Sequence, residues 1–198
     1  MPSLYMLAGP NGAGKTTFYF SAIEQNFIDK KLSYINTDII ARDELGGYTK
    51  MNFARAEEIV RERIARHIEL EESFMVESNL ARQSDYDWLN AIKAKGYSII
   101  IYFLCTSNVA INLNRITRRV KEGGHDIPEN IVRDRYNMSL IYLKTGLLNF
   151  DEVFLIDNSS ETAEEIAFVE KGKLIRKIAG CPEWANKILY IVERMMNR

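Results

Sequence analysis

The sequence predicts an α/β fold: a mainly parallel five-stranded sheet with helices on both faces, followed by a C-terminal hairpin and helix. Three observations predict it. Short apolar runs alternate with segments of helical period, the pattern of right-handed βαβ crossovers. Residues 98–104 (SIIIYFL) are apolar almost throughout rather than alternating, as in a strand covered on both faces. The stretch Gly9-Pro10-Asn11-Gly12-Ala13-Gly14-Lys15-Thr16 fits G-x-x-x-x-G-K-[ST], a motif that requires a strand before it and a helix after it.

Each element follows in order. Residues 4–8 (LYMLA) make a short buried strand, and 17–27 a helix. Ser33-Tyr34-Ile35-Asn36-Thr37-Asp38 reads as a second strand ending in a polar cluster. A helical turn at 39–44 is broken by Gly46-Gly47. The helix at 51–72 carries Phe53, Ala56, Val60, Ile64 and Ile68 on one face. Its opposite face carries Arg55, Glu58, Glu62, Arg66 and Glu69; His67 borders the apolar side as a structural residue. The third strand is 73–77 (SFMVE), followed by Ser78-Asn79-Leu80. A helix at 85–95 closes at Gly96, a C-cap signal. After the strand at 98–104, a helix at 108–122 ends at Gly123-Gly124. Pro128 sits at a first-turn position and opens a helix to 149. The fifth strand, 152–156, ends in Asp157-Asn158-Ser159. Residues 166–170 and 173–178 then pair as a hairpin about Lys171-Gly172, and 184–197 form a closing helix.

Composition narrows the classes. A chain of 198 residues with 46% hydrophobic and 27% charged residues is one ordinary domain, 1–198. Its net charge of −1 supplies no global field for nucleic acid or membrane, and neither is an expected partner. No apolar stretch approaches the roughly 18 residues of a membrane span, and no secretory signal precedes the first strand. Cys105 and Cys181 lack a CxxC pattern and read as reduced thiols, so a cytoplasmic location is expected. With His67 and His125 the only histidines, no zinc site is expected.

Ligands of open parallel sheets bind at the carboxyl ends of the strands. That rule selects the 9–16 loop, Asp38, Glu77 with Ser78 and Asn79, and Asp157-Asn158. Glycines let consecutive backbone N–H groups converge on one anion, and the following helix adds the positive end of its dipole. Gly9, Pro10, Asn11, Gly12, Ala13 and Gly14 thus form a phosphate cradle, with Thr17 beside it. Lys15 reaches the β- and γ-phosphates of a nucleoside triphosphate, ATP or GTP, and the Thr16 hydroxyl ligates Mg2+. Asp38 is the candidate base, or else the N-cap of the turn after it. Glu77 binds acceptor hydroxyls or a magnesium-bound water, or else makes an ion pair across strand ends. Asp157-Asn158 is either a second magnesium carboxylate with a base-contacting Asn, or a turn. Arg115, Arg118, Arg119, Arg133 and Arg135 flank a glycine hinge and read as a lid, about 115–136, that covers the triphosphate. Arg115 and Arg119 share a helix face, Arg118 is the exposed member, and only one of Arg133 and Arg135 faces inward.

The order GPNGAGKTT, INTD, ESNL, RVKEGGHDIPENIVRDRY, LIDNS resembles the zeta toxin family of P-loop kinases, over residues 3–160. The resemblance is to a compact branch with a GGH segment. It implies a three-layer fold like that of nucleoside monophosphate kinases. It also implies transfer from ATP or GTP with Mg2+ to UDP-N-acetylglucosamine, and an antitoxin partner that can occlude the nucleotide site. By position it makes Lys15 and Thr16 the phosphate and magnesium residues, Asp38 the base on the sugar hydroxyl and Glu77 an acceptor-site residue. Arg119 and Arg135, or Arg133, become the γ-phosphate arginines. Two other readings stay open on the residues alone: a polynucleotide or RNA-end kinase, and a non-catalytic nucleotide-dependent binding module. The hairpin and helix at about 164–198 carry no functional reading.

Overall fold

The computed structural model describes residues 1–196. Its strands are β1 (Ser3–Ala8), β2 (Ser33–Ile35), β3 (Phe74–Ser78), β4 (Ser98–Cys105), β5 (Glu152–Asp157), β6 (Glu164–Glu170) and β7 (Lys173–Lys177). They form one sheet in the order β2-β3-β1-β4-β5-β6-β7. The first five run parallel, and the β6–β7 hairpin continues the sheet antiparallel from β5. The expected five-stranded parallel sheet is present, and the hairpin extends it to seven strands.

Helices α1 (Lys15–Glu24), α2 (Thr37–Ile39), α3 (Lys50–Glu69), α4 (Gln83–Ala94), α5 (Val109–Lys121), α6 (Glu129–Gly146) and α7 (Glu183–Met196) complete the three layers. One face of the sheet buries Leu4, Met6, Phe74, Ile99, Ile101 and Phe103 against α3, α4, α6 and α7. The other buries Leu7, Met75, Ile100 and Leu104 against Ala22 of α1. On that second face Tyr5, Tyr102, Phe154 and Phe168 stack across β1, β4, β5 and β6. Central β1 and β4 are buried on both faces, which is why their sequences run apolar without alternation. Among the described residues no helix is long and apolar enough to cross a membrane.

Several boundaries differ from the sequence expectation by a few residues, two of them for a visible physical reason. The first helix starts at Lys15 rather than residue 17, because Gly14 turns the chain in left-handed geometry at φ 91°. The second strand stops at Ile35 rather than 38. Asn36 accepts a hydrogen bond from the Ile39 amide (3.1 Å) and opens α2, so Asp38 lies in the first helical turn. The N-cap is therefore Asn36, not Asp38. The closing helix begins at Glu183, and residue 197 of its expected span lies outside the described residues.

Candidate active site

The loop between β1 and α1 is shaped by Gly9, Gly12 and Gly14, all at positive φ. Lys15 is buried at 6% exposure and donates to the carbonyls of Gly9 (2.7 Å) and Pro10 (3.2 Å) and to Asn79 Oδ1 (3.3 Å). Burial holds its ammonium below the ordinary lysine pKa. The carboxylates of Glu77 and Asp38 push it back up, and Arg119 and Arg135 push it further down. These four charged groups come from four different elements, and Glu77 is the one in ion-pair distance of Lys15 among the described residues.

Glu77 stands beside the loop because β3 pairs with β1 in the register Leu7↔Glu77. Its Oε2 accepts from Thr16 Oγ1 (3.0 Å), Tyr34 OH (2.5 Å) and Asn36 Nδ2 (2.8 Å), and its Oε1 lies 3.7 Å from Lys15 Nζ. With the Thr16 proton directed at Glu77, the oxygen's lone pairs are left for a cation. The Tyr34 phenol, held protonated by burial and by the adjacent carboxylate, keeps Glu77 in place. Of the sequence alternatives for Glu77, the ion pair is present, made with Lys15, and the same carboxylate orients the Thr16 hydroxyl. Asp157, the alternative magnesium carboxylate, instead accepts from Ser159 and from Trp184 Nε1 (2.9 Å), as the turn reading expects.

Two clefts meet at this point. The first, of about 450 Å³, contains Gly12, Gly14, Lys15, Thr16, Thr17, Arg115 and Arg119. The second, of about 530 Å³, contains Ser78, Asn79, Phe53, Glu57, Ile127 and Arg135. Asn11, Asp38 and Glu77 line both. The Asp38 carboxylate has no hydrogen bond or ion pair among the described residues, so its lone pairs are open to a ligand. Ser78 Oγ accepts from the Leu80 amide (3.1 Å) and fixes the loop that carries Asn79 to Lys15.

The arginines divide as helical geometry dictates. Arg115 and Arg119 both face the first cleft. Arg115 donates Nη2 to the Ser160 carbonyl (3.2 Å), while its Nη1 is buried beside Gly14 with no hydrogen-bond partner among the described residues. Arg119 donates to the His125 carbonyl (3.0 Å) across the Gly123-Gly124 hinge. Arg118 pairs with Glu122 and is exposed, as expected, although it touches the cleft rim. Arg135 donates to Asn11 Oδ1 (3.0 Å); burial, then Arg82, lowers its pKa, and Asp38 works against both. Arg133 is a correction: two residues from Arg135, it points to the other side of α6, pairs with Glu129 at 2.7 Å and lines neither cleft. The His125 ring packs on Phe53 (4.7 Å between centroids) and so ties the segment after Gly124 to α3.

Several supports are not visible in sequence. Asn112, fully buried, donates to the Asn11 carbonyl (2.7 Å) and accepts from Thr106, whose carbonyl accepts from Tyr136 OH (2.6 Å). Its only signal is a lone amide at helical spacing with Val109, Ile116 and Val120. Asn158 lines the first cleft, where the sequence expects it, and donates Nδ2 to the Ala13 carbonyl (2.7 Å), so it also braces the loop. Tyr34 and Asn36 read in the sequence only as parts of a strand.

No protein-family model matches the chain. An uncharacterized protein of Haemophilus influenzae is 40% identical over 63 residues; the match spans 32% of this chain and 45% of that protein. A chain of the AvrRxo1-ORF1:-ORF2 complex with ATP superposes with a TM-score of 0.69 at 16% identity, covering 95% of this chain and 63% of that one. A chain of the PezAT chromosomal toxin-antitoxin system of Streptococcus pneumoniae gives 0.60 at 16% identity, covering 100% and 86%. One from the Pnkp1/Rnl/Hen1 RNA repair complex gives 0.58 at 16% identity, covering 73% and 46%. This chain thus spans less than half of the curated relative and under two thirds of the AvrRxo1 chain. The strand order, the glycine loop and these likenesses agree: the chain has the P-loop α/β fold that these solved structures share.

Proposed function

We propose that this chain is a P-loop phosphotransferase that moves the γ-phosphoryl group of ATP or GTP to a hydroxyl of a small molecule. The observation that carries the proposal is Asp38, free of partners among the described residues at the border of the two clefts. The triphosphate takes the first cleft and the acceptor the second. Asp38 accepts the proton of the acceptor hydroxyl as its oxygen bonds to the γ-phosphorus. The bond from phosphorus to the β–γ bridging oxygen breaks, and the nucleoside diphosphate leaves with that electron pair. Lys15 and Arg119 stabilise the charge on the first-cleft side, and Arg135 from the second. Arg115 holds a phosphate oxygen through its open Nη1. Thr16, oriented by Glu77, is the residue that would hold Mg2+, which supplies charge neutralisation on the phosphate oxygens.

The zeta toxin resemblance supplies UDP-N-acetylglucosamine as the first acceptor to assay, and the two-component assemblies of AvrRxo1 and PezAT support an antitoxin-like protein partner. The test is transfer from ATP·Mg2+ to that sugar nucleotide and to a hydroxyl-rich metabolite pool, resolved by mass, with the Asp38→Asn protein alongside. A phosphorylated product made only by the unmutated protein supports the reading. No product from any acceptor, with ATP still bound, supports the binding-module alternative.

Lys15→Ala is expected to weaken nucleotide affinity by about tenfold or more, since a charged hydrogen-bonding group is lost from the phosphate site. Calorimetry reads this directly, and unchanged affinity would remove Lys15 from that site. Tyr34→Phe is expected to lower kcat by about tenfold, the loss of one hydrogen bond to a carboxylate, with nucleotide affinity nearly retained. An unchanged kcat would mean that Asn36 and Thr16 hold Glu77 unaided.

A further inference from the structure

The charge of the second cleft selects its ligand, on the kinase reading given above. Four carboxylates line it: Asp38, Glu57, Glu77 and Asp126. Glu77 is matched by Lys15 and three hydroxyl or amide donors. Asp38 is committed to the reacting hydroxyl. Glu57, from α3, and Asp126, from the segment after the glycine hinge, have no ion pair or side-chain hydrogen bond among the described residues. The cation of the lining is Arg135, held at the phosphate-loop end by Asn11 Oδ1. Arg82 stands near Arg135 but is exposed and outside the lining. His125, the other titratable group, is packed against Phe53 and Tyr48. Phe53, Ile127, Pro128 and Ile131 line the same cleft and offer apolar surface to the face of a ring, while Glu57 and Asp126 stand exposed in its lining.

We infer that the acceptor is a hydroxylated amine, an amino sugar or aminocyclitol with a free ammonium. Its ring rests on Phe53 and Ile127, its ammonium meets Glu57 and Asp126, and one hydroxyl reaches Asp38. A nucleoside diphosphate sugar would bring a pyrophosphate to a wall of carboxylates, where like charges repel and the lining's cation, Arg135, is already held at the phosphate-loop end. An ammonium there gains two opposite charges and lies over an aromatic face.

The test uses matched probes: glucosamine against N-acetylglucosamine, 2-deoxystreptamine against myo-inositol, and UDP-N-acetylglucosamine. Binding is measured by calorimetry on protein loaded with a non-hydrolysable ATP analogue, and transfer by mass with ATP·Mg2+. Each amine is expected to bind roughly tenfold more tightly than its neutral match, the scale of two partly exposed ion pairs. The double variant Glu57→Gln/Asp126→Asn is expected to erase that preference while melting as the unmutated protein does. Equal binding of amine and neutral match, a preference that survives the double variant, absence of amine binding, or tighter binding of UDP-N-acetylglucosamine each overturns the inference. Selective amine binding without phosphoryl transfer to the amine would sink the kinase reading and leave the ligand class standing. Transfer to UDP-N-acetylglucosamine without amine preference would do the reverse.

Discussion

Asp38→Asn is expected to abolish phosphoryl transfer while nucleotide still binds. The loss in kcat is put at about 1000-fold, within the range for removal of a positioned general base. The change in nucleotide Kd is expected to stay within about threefold, because Asp38 borders the first cleft without holding it together. The asymmetry follows from geometry. The carboxylate has no hydrogen bond or ion pair among the described residues, so an amide of the same shape breaks no such contact. Its place in the first turn of α2 adds a favourable dipole term of only about 0.5 kcal/mol. Burial of Lys15 is partly compensated by Asp38, so the variant also deprives that ammonium of one of its two nearby anions. Single-turnover kinetics beside calorimetry separate the outcomes. Parallel loss of binding and transfer would make Asp38 a structural support of the phosphate site, and retained transfer would remove it from the chemistry.

Gly9→Ala is expected to be the most damaging addition of a methyl group in the phosphate loop. A Cβ on Gly9 would stand 1.9 Å from the Leu104 carbonyl oxygen and 3.0 Å from its carbon. Both belong to the backbone of β4, fixed in the centre of the sheet, so there is no side chain to swing away. The residue also sits at φ 130°, where L-residues are rarely found. Overpacking and backbone strain together cost about 3 kcal/mol or more, a fall of roughly 10 °C in Tm for a chain of this size. Gly96→Ala is the control. Gly96 also has positive φ, at 92°, but a Cβ there would meet nothing within 4 Å among the described residues. Its cost is that of conformation alone, about 1 kcal/mol. Equal Tm shifts for the two variants would mean that the close approach to Leu104 relaxes freely.

What is legible in the sequence is what is local. The glycine loop, the continuous apolar run of β4 and the Pro128 helix start each depend on residues a few positions apart. The choice between Arg133 and Arg135 needs the azimuth of α6 relative to Asn11, which no pattern within the helix contains. The same holds for Glu77, whose role depends on β3 lying next to β1, and for Asp157, whose oxygens are taken by Ser159 and a tryptophan from α7. Asn112 reads as an interruption of an apolar stripe until the loop it supports is in view. Asn36 is masked by the apolar Tyr34-Ile35 run before it, which favours extending the strand over capping a helix.

The bracing of the phosphate loop from outside has a thermodynamic consequence. The Asn11 carbonyl is held by Asn112, the Ala13 carbonyl by Asn158, and the Asn11 side chain by Arg135. These contacts come from β5's end and from α5 and α6, so the loop acquires its shape when the domain folds. The conformational entropy of those residues is lost at folding and is not lost a second time when an anion arrives. An anion taken by the loop would then meet amides already in place, and its affinity would not be reduced by the cost of ordering them.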